Sequence, residues 1–93
     1  MIRRFRGKDT EQLFLGHFSR KLPNALQRLA RRKLLQLDAA TMLETLRVPP
    51  GNRLEALRGN RKGQHSIRIN DQWRLCFEWQ EKDAREVEIT DYH

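Results

Sequence analysis

The stretch Gly63–Trp79, GQHSIRINDQWRLCFEW, limits what this chain can fold into more than any other. His65, Ile67 and Ile69 alternate with Ser66 and Arg68. After Asn70-Asp71, Trp73, Leu75, Phe77 and Trp79 alternate with Arg74, Cys76 and Glu78. Period-2 alternation on both sides of a short Asn-Asp break predicts a β-hairpin. Successive strand side chains leave on opposite faces, so one face of this hairpin is apolar and must be covered. The other face carries Ser66, Arg68 and Arg74, more charge than a core tolerates.

The cover is expected from the residues before it. Met1–Arg6 (MIRRFR), with Ile2 and Phe5, predicts a short N-terminal strand. Asp9 and Gln12 have capping-box spacing, and Leu13, Phe14, His17 and Phe18 supply the stripe of a helix ending near Ser19. Leu22-Pro23 opens a second helix whose stripe is Leu22, Leu26, Leu29, Lys33 and Leu37, with Ala30 and Leu34 alongside. Asp38 is expected to end it and to cap a short third helix carrying Met42, Leu43 and Leu46. Val48-Pro49-Pro50-Gly51 stops all helix. Asn52–Arg58 reads equally as a helical turn or a short strand. A last strand runs from Ala84 to Thr90, with Val87 and Ile89 inward and Glu86 and Glu88 outward. Helices followed by antiparallel strands argue an α+β fold, its helices packed on one sheet face. At 93 residues the expectation is a single domain spanning 1–93.

Charge narrows the partners. Lys and Arg total 19 against 12 Asp and Glu, a formal net charge of +7. So basic a small chain is drawn to a polyanion, nucleic acid before membrane. No apolar run approaches the roughly 20 residues that span a bilayer, and the Arg3, Arg4, Arg6 cluster leads into no signal peptide. Cys76 is the only cysteine, which excludes an internal disulfide and a cysteine-based zinc site and suits the cytoplasm. His17, His65 and His93 lack metal-ligand spacing, so neither a metal nor another cofactor is expected.

The candidates for chemistry are basic or C-terminal. Arg58, Arg61 and Lys62 precede the hairpin, Arg68 and Arg74 share its polar face, and Asp91, Tyr92 and His93 directly extend the last strand. These groups suffice for metal-free RNA cleavage. Histidine exchanges protons near neutral pH, a carboxylate orients it or acts as base, tyrosine stacks on a base, and arginine forks a phosphate.

LEALRGNRKGQHSIRINDQWRLCFEW followed by EITDYH, and the opening MIRRFRGKDTEQLF, closely resemble the HigB branch of the RelE-like toxins of bacterial type II toxin–antitoxin systems. The resemblance covers essentially the whole chain. It implies a RelE-like fold and a ribosome-dependent endoribonuclease that cuts mRNA in the A site. It also implies a HigA-type helix-turn-helix antitoxin that binds the toxin and represses the operon, so that operator DNA is reached only through the antitoxin. Residue by residue, the family's catalytic positions fall on Arg74, Asp91, Tyr92 and His93, and a basic position on Arg58. One position departs: where some members carry histidine, this chain has Glu55. His65 stands where others carry an aromatic residue, which implies packing. The competing readings are a ParE-like gyrase-binding toxin without nuclease activity, and a weak toxin acting mainly as antitoxin partner in operon regulation.

Overall fold

The computed structural model describes Met1–Asp91; Tyr92 and His93 lie outside the described residues. Helices α1 (Lys8–Phe14) and α2 (Asn24–Ala39) come first. Strand β1 (Glu55–Ala56) follows two 3₁₀ turns, Leu43–Arg47 and Pro50–Asn52. A third 3₁₀ turn, Gly59–Arg61, leads to β2 (Gln64–Arg68), β3 (Trp73–Gln80) and β4 (Asp83–Asp91). The strands form one antiparallel sheet in the order β1-β2-β3-β4. The α+β architecture is the one expected from the sequence, and Asn52–Arg58 resolves into a turn and the two-residue β1.

The hairpin organises the sheet. Asn70 closes it by accepting the backbone N–H groups of Gln72 at 2.9 Å and Trp73 at 2.8 Å on Oδ1. An Asx side chain thus does what glycine does in tighter hairpins. Register pairs Ile67 with Leu75 and His65 with Phe77 on one face, and Ser66 with Cys76 and Arg68 with Arg74 on the other. Leu26, Ala30, Leu34 and Leu37 of α2 pack with Leu46 onto Ile67, Leu75, Phe77 and Val87. Each such leucine contributes roughly 1.5–3 kcal/mol by leaving water.

The first helix is shorter than its apolar pattern suggests, because Gly16 adopts φ 94 just beyond Phe14 and turns the chain away. His17 and Phe18 are therefore exposed, Phe18 at 81%. The capping box does not form: the N-cap is Gly7, without a side-chain cap. Asp9 instead accepts a hydrogen bond from Ser19 Oγ at 3.4 Å and pairs with Lys21 at 3.8 Å. Gln27, fully buried, holds the interhelix loop by accepting from Ser19 N and donating to the Ser19 and Leu22 carbonyls.

Met1–Arg6 is not a regular strand, since Ile2 and Phe5 are three apart and break the period. They make separate parallel bridges to Ala84 and Val87 at the outer edge of β4. Asp38 lies inside α2 and accepts the Ile2 N–H at 2.9 Å, so it caps no third helix. Arg3 donates to Asp83 at 3.1 Å and draws its pKa below the ordinary value. On β4 the register shifts opposite Phe77, where Glu86 takes φ 51. Glu86 turns to Arg4, 3.6 Å away, and interrupts the alternation that predicts it beside Glu88.

Candidate nucleic-acid interface

The sheet face opposite the helices is polar. Register places Glu55 on β1, Gln64, Ser66 and Arg68 on β2, Arg74 and Cys76 on β3, and Glu88 and Thr90 on β4 along it. Arg68 and Arg74 are direct cross-strand partners, a pairing of like charges that a sheet resists. They turn apart. Arg68 forms an ion pair with Asp71 of the hairpin turn, whereas Arg74 crosses β2. Its Nε donates to Ser66 Oγ at 2.7 Å and its Nη2 to the Arg53 carbonyl at 2.7 Å. Glu55 lies 3.5 Å from the same Nη2. The Arg74 side chain is only 12% exposed, yet Nη1 has no hydrogen bond among the described residues, which leaves one edge of the guanidinium open to a ligand.

At the other end of the face, Arg61 donates from Nη1 to Glu88 at 2.8 Å and to Gln64 at 3.0 Å. Arg58 and Lys62 are exposed and form no ion pair among the described residues. The basic residues thus occupy both ends of the strands, with Cys76 buried between them. Burial pushes the Cys76 thiol above its ordinary pKa, against partial compensation from the Thr90 hydroxyl and the Arg61 charge. Behind the face, Lys33 of α2 donates to Asn52. Burial, then Arg32 and Arg68, lower its pKa.

Asp91 is not brought beside Arg74. It pairs with Trp73, one residue out of phase with the Thr90–Arg74 pair, and so projects to the other face. There it accepts from Gln72 Nε2 at 3.2 Å. Tyr92 and His93 fall outside the described residues. His65 is a packing residue, its ring stacked on Phe77 with centroids 6.2 Å apart. Sequence reasoning assigns no site role to Ser66 or Arg53. Ser66 is legible as a small polar residue on the same face as Arg74, but a role exercised by the Arg53 carbonyl leaves no mark in residue type.

No group of His, Cys, Asp and Glu among the described residues could hold a metal ion, and no described helix is long and apolar enough to cross a membrane.

Comparison with known proteins fits this arrangement. A family model described as the RelE-like toxin of type II toxin–antitoxin system HigB matches residues 3–93. Toxin HigB-1 of Vibrio cholerae is 45% identical over 80 residues, covering 85% of this chain and 84% of the toxin. An uncharacterized protein of Haemophilus influenzae is 32% identical over 72 residues, covering 77% and 71% of the two chains. In three dimensions the chain is similar to YafQ from E. coli. A point mutant of YafQ superposes with TM-score 0.66 at 16% identity, covering 95% of this chain and 89% of that one. YafQ from strain BL21(DE3) superposes with TM-score 0.61 at 17% identity and the same 95% and 89% coverage. At such identities the likeness establishes the fold alone. The family match over nearly the whole length goes further: this chain belongs to the HigB-like, RelE-like toxins of type II toxin–antitoxin systems, which work opposite an antitoxin.

Proposed function

We propose that the protein is a ribosome-dependent, metal-independent endoribonuclease of the cytoplasm that cuts mRNA in the A site and is neutralised by a HigA-type antitoxin. The observation that carries this reading is Arg74: a preorganised guanidinium on an open, basic sheet face, with Nη1 uncommitted among the described residues. In the reaction the ribose 2′-oxygen loses its proton and attacks the adjacent phosphorus. The bond to the 5′-oxygen then breaks, and that oxygen takes a proton. Arg74 stabilises the charge that builds on the phosphorane oxygens. His93, with Tyr92, handles protons and the base. Asp91, which accepts from Gln72, supplies the carboxylate that orients the histidine or acts as base. Arg58, Arg61, Lys62 and Arg68 bind phosphates.

The test is single-turnover cleavage on programmed ribosomes, with ribosome binding measured in parallel. Arg74→Ala should lose on the order of 10²-fold in rate, as other preorganised donors do. A chain ending at Tyr92 should lose about 10²–10⁴-fold, the range of general acid–base catalysis. Both should still bind ribosomes. Wild-type rates in both variants would overturn the assignment. An absence of codon-linked cuts together with gyrase inhibition would favour the ParE-like reading. Co-expression of a helix-turn-helix antitoxin encoded beside the gene should restore growth.

A further inference from the structure

Arg74 is held from one side only, and what holds it extends back into the helix layer. Ser66 is fully buried although it lies on the open face. A buried hydroxyl requires a hydrogen-bond partner, and Arg74 Nε supplies one at 2.7 Å. The second hold is the Arg53 carbonyl, 2.7 Å from Nη2. Arg53 has φ 46 and ψ 57, a left-handed conformation uncommon outside glycine. This conformation aims its carbonyl across β2 instead of along the chain.

The residue before it explains why the conformation persists. Asn52 is fully buried. Its Nδ2 donates to the Leu46 carbonyl at 3.0 Å and to Gln36 Oε1 at 3.2 Å, and its Oδ1 accepts from Lys33. Gln36 and Lys33 belong to α2, so the core helix fixes the turn, the turn fixes the Arg53 carbonyl, and the carbonyl fixes the guanidinium. An arginine has five N–H donors in a planar fork. With Nε on Ser66 and Nη2 on Arg53, the fork's remaining edge, Nη1, points where neither contact reaches. A lysine ammonium has no such plane to orient.

We propose that Ser66 and the Arg53 carbonyl, the latter set by Asn52, form a cradle that presents the Nη1 edge of Arg74 to the RNA phosphate, making Ser66 and Asn52 positioning residues for cleavage. This rests on the reading of Arg74 as the phosphate-facing arginine. The cradle acts on the height of the barrier and not on docking, because ribosome binding draws on the exposed cations.

The experiment uses the full chain as wild type, Ser66→Ala, Arg53→Pro and Arg74→Ala. Ser66→Ala removes a single oxygen. Arg53→Pro forbids positive φ. Single-turnover cleavage on programmed ribosomes gives the maximal rate and the half-saturating concentration, and ¹⁵N-edited NMR follows the Arg74 Nε–H. Ser66→Ala should lower the maximal rate by about 10- to 10²-fold, the scale of a misplaced catalytic group, at unchanged half-saturation. Its Nε–H resonance should be lost to solvent exchange while the backbone amides of the helices stay in place. Arg53→Pro should act in the same direction on rate. A wild-type maximal rate in Ser66→Ala, or a loss confined to half-saturation, overturns the cradle. If Arg74→Ala is slow while Ser66→Ala is not, the cradle alone is wrong. If Arg74→Ala is as fast as wild type, the reading beneath it fails too.

Discussion

The Glu55 carboxylate stands 3.5 Å from Nη2 of Arg74, two strands away across the open face. It pairs with the guanidinium from β1, the short edge strand. A carboxylate there reduces the pull of Arg74 on phosphate. Because Glu55 is 53% exposed, water screens the pair, and its worth is on the order of 1 kcal/mol or less. Glu55→Gln is therefore expected to tighten binding of a short RNA by about 2- to 5-fold at low salt and to preserve cleavage. A fall of about 10²-fold in single-turnover rate would instead assign Glu55 the proton abstraction.

Lys62 and Arg61 are neighbours with different commitments. Arg61 is tied to Glu88 and Gln64, whereas Lys62 is exposed. Ribosome affinity should fall steeply with salt. Lys62→Ala should reduce the slope of log affinity against log salt by about 0.7, one phosphate's worth on a single strand. Arg61→Ala should change the slope less, because its charge is already partly spent. Equal effects, or an unchanged slope in the double variant, would place the RNA elsewhere, such as on the Arg28–Lys33 segment of α2.

Cys76 gives the fold an alkaline dependence. Its folded pKa is raised above 9.0 by burial, so the folded chain keeps a proton that the unfolded chain releases. Stability is unaffected by this group well below 9.0 and falls as pH rises from there towards the folded value. Urea denaturation between about pH 8 and pH 10 should show a steeper loss in the wild type than in Cys76→Ala. The folded thiol should also resist alkylation that the urea-unfolded chain undergoes.

The helix layer holds the sheet in shape. Leu34 is fully buried within it. Leu34→Ala should cost about 2–5 kcal/mol, the range for a large-to-small core change, read as a lower urea midpoint at unchanged slope. A loss below about 1 kcal/mol would mean that the core closes over the cavity.

Strand alternation makes the hairpin, the apolar face and the position of Arg74 legible in the residues, because period 2 assigns every side chain to a face. Alternation also over-reaches. It carries Glu86 outward beside Glu88, where a bulge at Glu86 breaks the phase. The resemblance groups Asp91 with Arg74, and the register sets Asp91 opposite Trp73, next to the Thr90–Arg74 pair. The first helix reads too long because Phe18 fits a 3.6-residue stripe, and no pattern of apolar residues reports that Gly16 turns the chain. The Arg53 carbonyl and the Asn52 anchor depend on backbone direction and long-range contacts, which composition and spacing do not encode.

The bridging of Met1–Arg6 along β4 has a consequence for self-association. A sheet edge offers unpaired N–H and C=O groups to any other strand, which is how sheets join into larger aggregates. Here the edge of the nine-residue β4 is occupied in its first half by the chain's own N-terminal segment, through Arg3 N to Ala84 O at 2.8 Å and Arg6 N to Val87 O at 2.9 Å. Arg3 and Arg4 of that segment pair with Asp83 and Glu86 of β4, which ties it to the edge that it covers. The opposite edge, β1, is only Glu55–Ala56, too short to seed a ladder. The polar sheet face is thus flanked by two borders that discourage another sheet from growing onto it.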